Sequence, residues 1–81
     1  MQIETYLQRV REIDRLIRLR STGPPGELAE QIGLSQSMIY EYLGFMRAAG
    51  APIAYSKQLK TYFYLYQVEF TYGFAKPENG R

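Results

Sequence analysis

The amino-acid sequence predicts an α+β domain of three helices followed by a β-hairpin, on two observations. Up to about residue 49, apolar side chains recur every three or four positions, with breaks rich in glycine and proline; this is the period of amphipathic helices. Beyond Pro52 the apolar period falls to two, and aromatic and β-branched residues dominate, as is typical of strands. The change of period therefore places the helices before the hairpin.

The residue inventory argues against catalysis. The chain has 81 residues and contains neither cysteine nor histidine, which removes thiolate chemistry, disulfides, the commonest general base and the commonest zinc ligand. It also lacks paired carboxylates at a defined spacing and a glycine-rich phosphate loop. We therefore expect no enzymatic activity, no metal ion and no cofactor.

The start of the chain shows no signal pattern of basic residues followed by an apolar stretch. No apolar run approaches the roughly 18 residues that a membrane-spanning helix requires. The sequence accordingly predicts a cytoplasmic protein that does not associate with a membrane.

The net charge of +2 is low for a dedicated nucleic-acid binder, but the charges are unevenly distributed. Residues 1–20 contain five arginines against three acidic residues, and Lys57 and Lys60 stand close together near the end of the chain. These arginines are expected on the solvent-exposed face of the first helix. The alternative is that one or two of them contact phosphate groups. Positive charge is therefore expected on the first helix and near residues 57–60.

The first helix is predicted over residues 3–20, followed by a firm stop. The stretch S-T-G-P-P-G over residues 21–26 cannot continue a helix. Gly23 suits a left-handed helix cap, and Pro25 is a favourable first-turn residue for a short second helix over residues 27–32.

Residues 28–42 are the organising stretch of the sequence. Ala29 offers a small side chain where two helices would cross closely, Gly33 tolerates the positive φ of a tight turn, and Ile39 can fill the gap between the helices. Ser35 is a candidate N-cap for a third helix that extends to about residue 49. This is the pattern of a helix-turn-helix, whose second helix usually enters the major groove of DNA.

Two aromatic-rich segments, I-A-Y-S at residues 53–56 and T-Y-F-Y-L at residues 61–65, are expected to form the hairpin. The four residues between them would form its loop. A third β-like run at residues 67–72 precedes a glycine- and proline-containing end. We predict one domain over residues 1–72, with a helix-turn-helix at about 27–49, a hairpin at about 52–66 and a frayed, extended tail at 73–81.

Five stretches between residues 13 and 65 carry a family resemblance that covers about two thirds of the chain. They are R-L-I-R-L-R-S-T-G, P-G-E-L-A-E-Q-I-G-L-S, I-Y-E-Y-L, R-A-A-G-A-P-I and Y-F-Y-L. Together they resemble the winged helix-turn-helix domain of bacterial transcription regulators, in the type 11 subtype related to biotin-repressor-like proteins. The resemblance implies a cytoplasmic regulator that binds double-stranded DNA and has no small-molecule ligand, since no ligand domain follows the hairpin.

The resemblance also implies the positions that contact DNA. The first half of the third helix would read base edges, its N-cap would place backbone amides beside a phosphate, and the hairpin loop, called the wing, would contact phosphate or the minor groove. The implied DNA-binding residues are Ser35, Gln36, Ser37, Tyr40, Glu41, Lys57, Gln58 and Lys60.

Several residues depart from the family pattern and leave a second interpretation open. The third helix has no basic residue before Arg47, and Glu41 adds a negative charge to it. Apolar Met38 and Phe45 are predicted on its outer side, where a polar residue is expected at position 45. A protein-interaction or homodimer module would use these two residues with Tyr66 and Phe70 of the aromatic tail.

Overall fold

Three helices precede a two-stranded antiparallel sheet in the computed structural model, which describes residues 2–70. The helices are α1 (Ile3–Arg18), α2 (Pro25–Ile32) and α3 (Gln36–Ala48), and the strands are β1 (Ile53–Ser56) and β2 (Thr61–Tyr64). The predicted α+β class and element order are confirmed, and the layout is consistent with a winged helix. None of the helices within these residues is long and apolar enough to cross a membrane.

Helix α1 is amphipathic, and its apolar stripe buries Val10, Ile13, Leu16 and Ile17. It ends at Arg18, two residues earlier than predicted. The Ser21 amide donates to the Leu16 carbonyl oxygen at 2.9 Å, and Arg20 between them is left-handed with φ of 54°.

The prediction that Gly23 caps α1 is therefore wrong. Gly23 is also left-handed, with φ of 70°, but it lies in the connection to α2. The chain turns earlier because Arg20 takes the left-handed position that closes a helix.

The turn between α2 and α3 has the conformation that the sequence predicts. Gly33 is left-handed with φ of 82°, and its amide donates to the Ala29 carbonyl oxygen at 2.8 Å. The Ser35 hydroxyl accepts a hydrogen bond from the Met38 amide at 3.2 Å, which caps α3. Pro25 is the first residue of α2, where its missing N–H leaves no hydrogen bond unmade.

The core lies where α1, α2 and α3 meet the inner face of the hairpin. Leu28 and Ile39 are fully buried, and Ala29 is buried between the two helices as predicted. Tyr42 is also buried, although the sequence pattern does not assign it to the core. Its ring stacks on Tyr6 of α1 with the centroids 4.6 Å apart, so an aromatic pair joins α1 to α3.

A polar network ties the end of the hairpin to α1. The Tyr64 hydroxyl donates to an Asp14 carboxylate oxygen at 2.6 Å, and the Arg18 guanidinium binds both oxygens of the same carboxylate. Burial and then the hydrogen bond to Asp14 hold the pKa of Tyr64 well above its ordinary value. Arg18 also donates to the Val68 carbonyl oxygen, so the segment after β2 is held against α1.

The third β-like run does not form a strand over residues 67–70. The sheet ends because β1 supplies only four paired residues. Beyond these pairs, one more hydrogen bond joins the two segments, from the Leu65 amide to the Pro52 carbonyl oxygen. Residues 71–72 of that run, the predicted tail at 73–81 and Met1 lie outside the described residues.

Gly44 lies inside α3 on its exposed side, where a Cβ atom would meet no other atom within 4 Å. Replacing it with alanine should raise the free energy of unfolding by about 0.5–1 kcal/mol, because glycine loses more backbone entropy in a helix. A thermal melt followed by circular dichroism should show the midpoint rising by about 2–8 °C.

Gly33→Ala is the matched control for this prediction. A Cβ atom at Gly33 would also meet nothing within 4 Å, but φ there is 82°. This variant should lose about 1 kcal/mol, because alanine is strained in the left-handed region. If both substitutions changed the free energy of unfolding equally, backbone conformation would not explain their effects.

Candidate nucleic-acid interface

The first two turns of α3 place four predicted contact residues on the exposed side of the helix: Gln36, Ser37, Tyr40 and Glu41. Gln36 and Tyr40 are one turn apart, and the Gln36 amide nitrogen donates to the Tyr40 hydroxyl at 3.0 Å. The amide oxygen of Gln36 faces the start of α2, where a Cβ atom on Gly26 would lie 3.6 Å away. These two side chains are therefore held together on the surface.

Two residues of α3, Tyr40 and Arg47, act on the hairpin. Burial raises the pKa of Tyr62 on β2, and the neighbouring Tyr40 raises it further. The Tyr62 ring packs edge-on against its cross-strand partner Tyr55 at a centroid distance of 4.8 Å. Arg47 of α3 donates to the Ile53 carbonyl oxygen on β1 at 3.3 Å. The last turn of α3 is therefore joined to the first residue of β1.

The hairpin loop at residues 57–60 is held by Ser56, the last residue of β1. The Ser56 hydroxyl accepts from the Leu59 amide at 3.0 Å, and its carbonyl oxygen accepts from the Lys60 amide at 2.7 Å. Lys60 is left-handed with φ of 55°. All four loop side chains are exposed, so Lys57, Gln58 and Lys60 extend into solvent from a fixed backbone.

Glu41 is exposed on α3, and its carboxylate acts on a tyrosine of α1. The pKa of Tyr6 on α1 is raised by burial first, then by Tyr42, and then by the Glu41 carboxylate. Tyr40, one residue earlier, instead affects Tyr62 on the hairpin. The two neighbouring side chains of α3 therefore affect different elements, Glu41 a residue of α1 and Tyr40 a residue of the hairpin.

The start of α3 adds a partial positive charge to this surface. Ser35 occupies the N-cap with its hydroxyl engaged by the Met38 amide, and Ser37 is exposed in the first turn. Backbone amides at a helix start attract anions, because they lack carbonyl partners and stand at the positive end of the helix dipole. An anion at the start of α3 would therefore be favoured even though the helix has no basic side chain there.

The residues predicted for a protein interface do not form one patch. Met38 is partly buried and packs against the core, so it is less exposed than predicted. Phe45 is 42 % exposed and packs edge-on against Tyr6. Phe45 and Phe70 line one small cavity of about 150 Å³, whereas Tyr66 lines a separate groove beside Arg18 and Arg20.

Sequence reasoning misses two features of this surface. The hydrogen bond between Gln36 and Tyr40 could have been anticipated, since residues four apart share a helix face. The exposure of Leu59 leaves no such signal, because helical and strand periodicity do not apply in a hairpin loop. Its side chain is 64 % exposed between Gln58 and Lys60.

Within residues 2–70, no group of three acidic side chains is arranged to hold a metal ion. A scan against protein-family models, a search of curated proteins and a search of solved structures each returned no match for this chain. The functional assignment therefore depends on the geometry of α3 and the hairpin.

Proposed function

We propose that this protein is a winged helix that binds double-stranded DNA as a small bacterial-type transcription regulator. In this proposal α3 enters the major groove and the hairpin loop, the wing, contacts the backbone or the minor groove. The observation that carries it is the set of exposed polar side chains in the first two turns of α3, together with the exposed Lys57 and Lys60 of a hairpin that Arg47 joins to the same helix.

The exposed side chains of α3 suit base-edge contacts. One N–H donor of the Gln36 amide is used by Tyr40, and the amide oxygen faces the start of α2. On binding, this exposed side chain would rotate so that its oxygen and one N–H pair with adenine in the major groove. Ser37 can donate to or accept from several base edges, and Glu41 can accept from a cytosine amino group. The chemistry of α3 therefore supports reading of bases more than attraction to phosphate.

Lys57 and Lys60 would supply most of the phosphate contacts. Each neutralised phosphate contributes about 0.9 to the slope of log affinity against log salt concentration. Two lysines and the amides at the start of α3 neutralise few phosphates, so one copy should bind weakly. A homodimer would double these contacts over two half-sites, which is how such proteins commonly reach specificity.

The test is fluorescence anisotropy with a labelled mixed-sequence duplex at several low salt concentrations. The Lys57→Ala/Lys60→Ala variant should bind more weakly than the parent, and its salt slope should be smaller by about 2, which is about 1 for each lost phosphate contact. Both lysines are exposed, so the variant should keep the stability of the parent.

The charge-matched control is Arg11→Ala/Arg15→Ala, which removes the same two positive charges from exposed positions on α1. It should change the salt slope less than the lysine variant. If the parent fails to bind any duplex, the DNA proposal is wrong; an unchanged slope in the lysine variant would exclude the wing as a phosphate contact.

The second candidate is a winged helix that acts as a protein-interaction or homodimer module without reading DNA. It is favoured by Phe45, which is 42 % exposed on α3 beside Tyr6, and by the low net charge of +2. A parent protein that does not bind DNA but is dimeric by light scattering would favour this candidate.

A further inference from the structure

Leu59 is the one apolar residue of the four-residue hairpin loop, and it is 64 % exposed. A single exposed leucine is ordinary on a protein surface, but this one is fixed in position. Its amide is bound to the Ser56 hydroxyl at 3.0 Å, and the next amide, that of Lys60, is bound to the Ser56 carbonyl oxygen at 2.7 Å. The loop therefore presents Leu59 to solvent from a fixed backbone.

The backbone of the loop is strained at Lys60, the residue that follows. Lys60 has a φ of 55°, a conformation that a residue with a side chain adopts at a cost. Glycine or asparagine would fill this position with less strain. Lys60 therefore keeps a positive charge next to the exposed Leu59 despite the strain. Lys57 adds a second positive charge two residues before Leu59.

We propose that Leu59 is an apolar contact in the minor groove of DNA, with Lys57 and Lys60 on the phosphates that border the groove. This inference rests on the proposed DNA binding and adds a specificity-determining residue to it. The minor groove is about 6 Å wide, so one leucine side chain is of suitable width to enter it. Proteins that bind the minor groove insert apolar side chains of this kind.

The chemistry of the groove then sets the sequence preference. A·T and T·A pairs present only acceptor atoms there, whereas G·C pairs add the N2 amino group of guanine. Leucine cannot accept a hydrogen bond from that amino group, and covering it would leave a donor without a partner. Leu59 should therefore favour A·T pairs beneath the wing.

The test uses two labelled duplexes of the same mixed sequence, one with guanine and one with inosine at every guanine position. Inosine lacks the N2 amino group but keeps the major-groove acceptors of guanine. The chemical groups of the two duplexes therefore differ in the minor groove and are the same in the major groove. The parent should bind the inosine duplex more tightly, by about fivefold or more. Leu59→Ala should lose this preference and keep the salt slope of the parent, because no charge is removed.

Leu19→Ala is the matched control, since Leu19 is 60 % exposed and lies after α1, outside the hairpin. It should keep the preference for the inosine duplex. If Leu59→Ala keeps the preference too, the preference reflects the softer inosine duplex and the inference is overturned.

The outcome also separates this inference from the proposed function. Binding that depends on Lys57 and Lys60, with Leu59→Ala indistinguishable from Leu19→Ala, would leave DNA binding in place and overturn the role of Leu59. A parent that binds neither duplex would overturn both.

Discussion

Replacing Ile39 with alanine is expected to lower the free energy of unfolding by about 2–5 kcal/mol. Ile39 is fully buried and is the residue of α3 that the sequence pattern places against α2. Alanine at this position would remove three carbon atoms and leave a cavity that helices joined by so short a turn cannot close. Equilibrium unfolding in urea, followed by circular dichroism, should show a lower midpoint with the same denaturant slope.

The matched control is Ile3→Ala, which removes the same atoms from a side chain that is 67 % exposed at the start of α1. Its effect should stay within about 0.5 kcal/mol. Equal losses in the two variants would show that Ile39 does not fill the gap between α2 and α3. Because neither substitution changes charge, any DNA binding that Ile39→Ala retains should keep the salt slope of the parent.

The sequence predicts the turn between α2 and α3 well because its determinants are local. Gly33 adopts the left-handed turn, and Ser35 caps the helix through an amide three residues away. Each of these interactions is decided by residues within one or two turns of the chain. Ala29 and Ile39 are also predictable, since helical spacing places them on the buried sides of their helices.

The sequence predicts the region after β2 less well, because strand length depends on the partner strand. Alternating aromatic residues continue past Tyr64, but β1 has only four residues to pair with them. The interaction that instead holds this segment joins the Arg18 guanidinium to the Val68 carbonyl oxygen, fifty positions apart. Such a contact leaves no mark in local periodicity.

The sequence predicts which side chains of α3 are exposed, but it does not predict which elements lie beside them. Helical spacing indicates that Tyr40 and Glu41 are both exposed on α3. It does not show that Tyr40 affects the pKa of Tyr62 on the hairpin while Glu41 affects that of Tyr6 on α1, because this depends on how three elements pack.

Replacing Thr22 with valine should lower the free energy of unfolding by about 1–3 kcal/mol, although valine has nearly the same shape. Thr22 is fully buried in the connection between α1 and α2. Its hydroxyl oxygen accepts from the Tyr62 amide at 2.8 Å and lies 3.0 Å from the Thr61 hydroxyl oxygen. Valine would leave the Tyr62 N–H buried without an acceptor, and the change is measurable by urea unfolding.

Thr22→Ser separates the hydrogen bond from the packing, because serine keeps the hydroxyl and removes one methyl group, at a cost of about 1 kcal/mol. A smaller loss in Thr22→Val than in Thr22→Ser would show that packing dominates at this position. A double-mutant cycle adds Thr61→Val. In the parent protein the Thr61 hydroxyl oxygen accepts from the Thr22 amide at 3.2 Å. Because both hydroxyl groups belong to one network, the double variant should lose less stability than the sum of the single variants. If the losses of the single variants added up to that of the double variant, the two threonines would stabilise the contact between β2 and the α1–α2 connection independently.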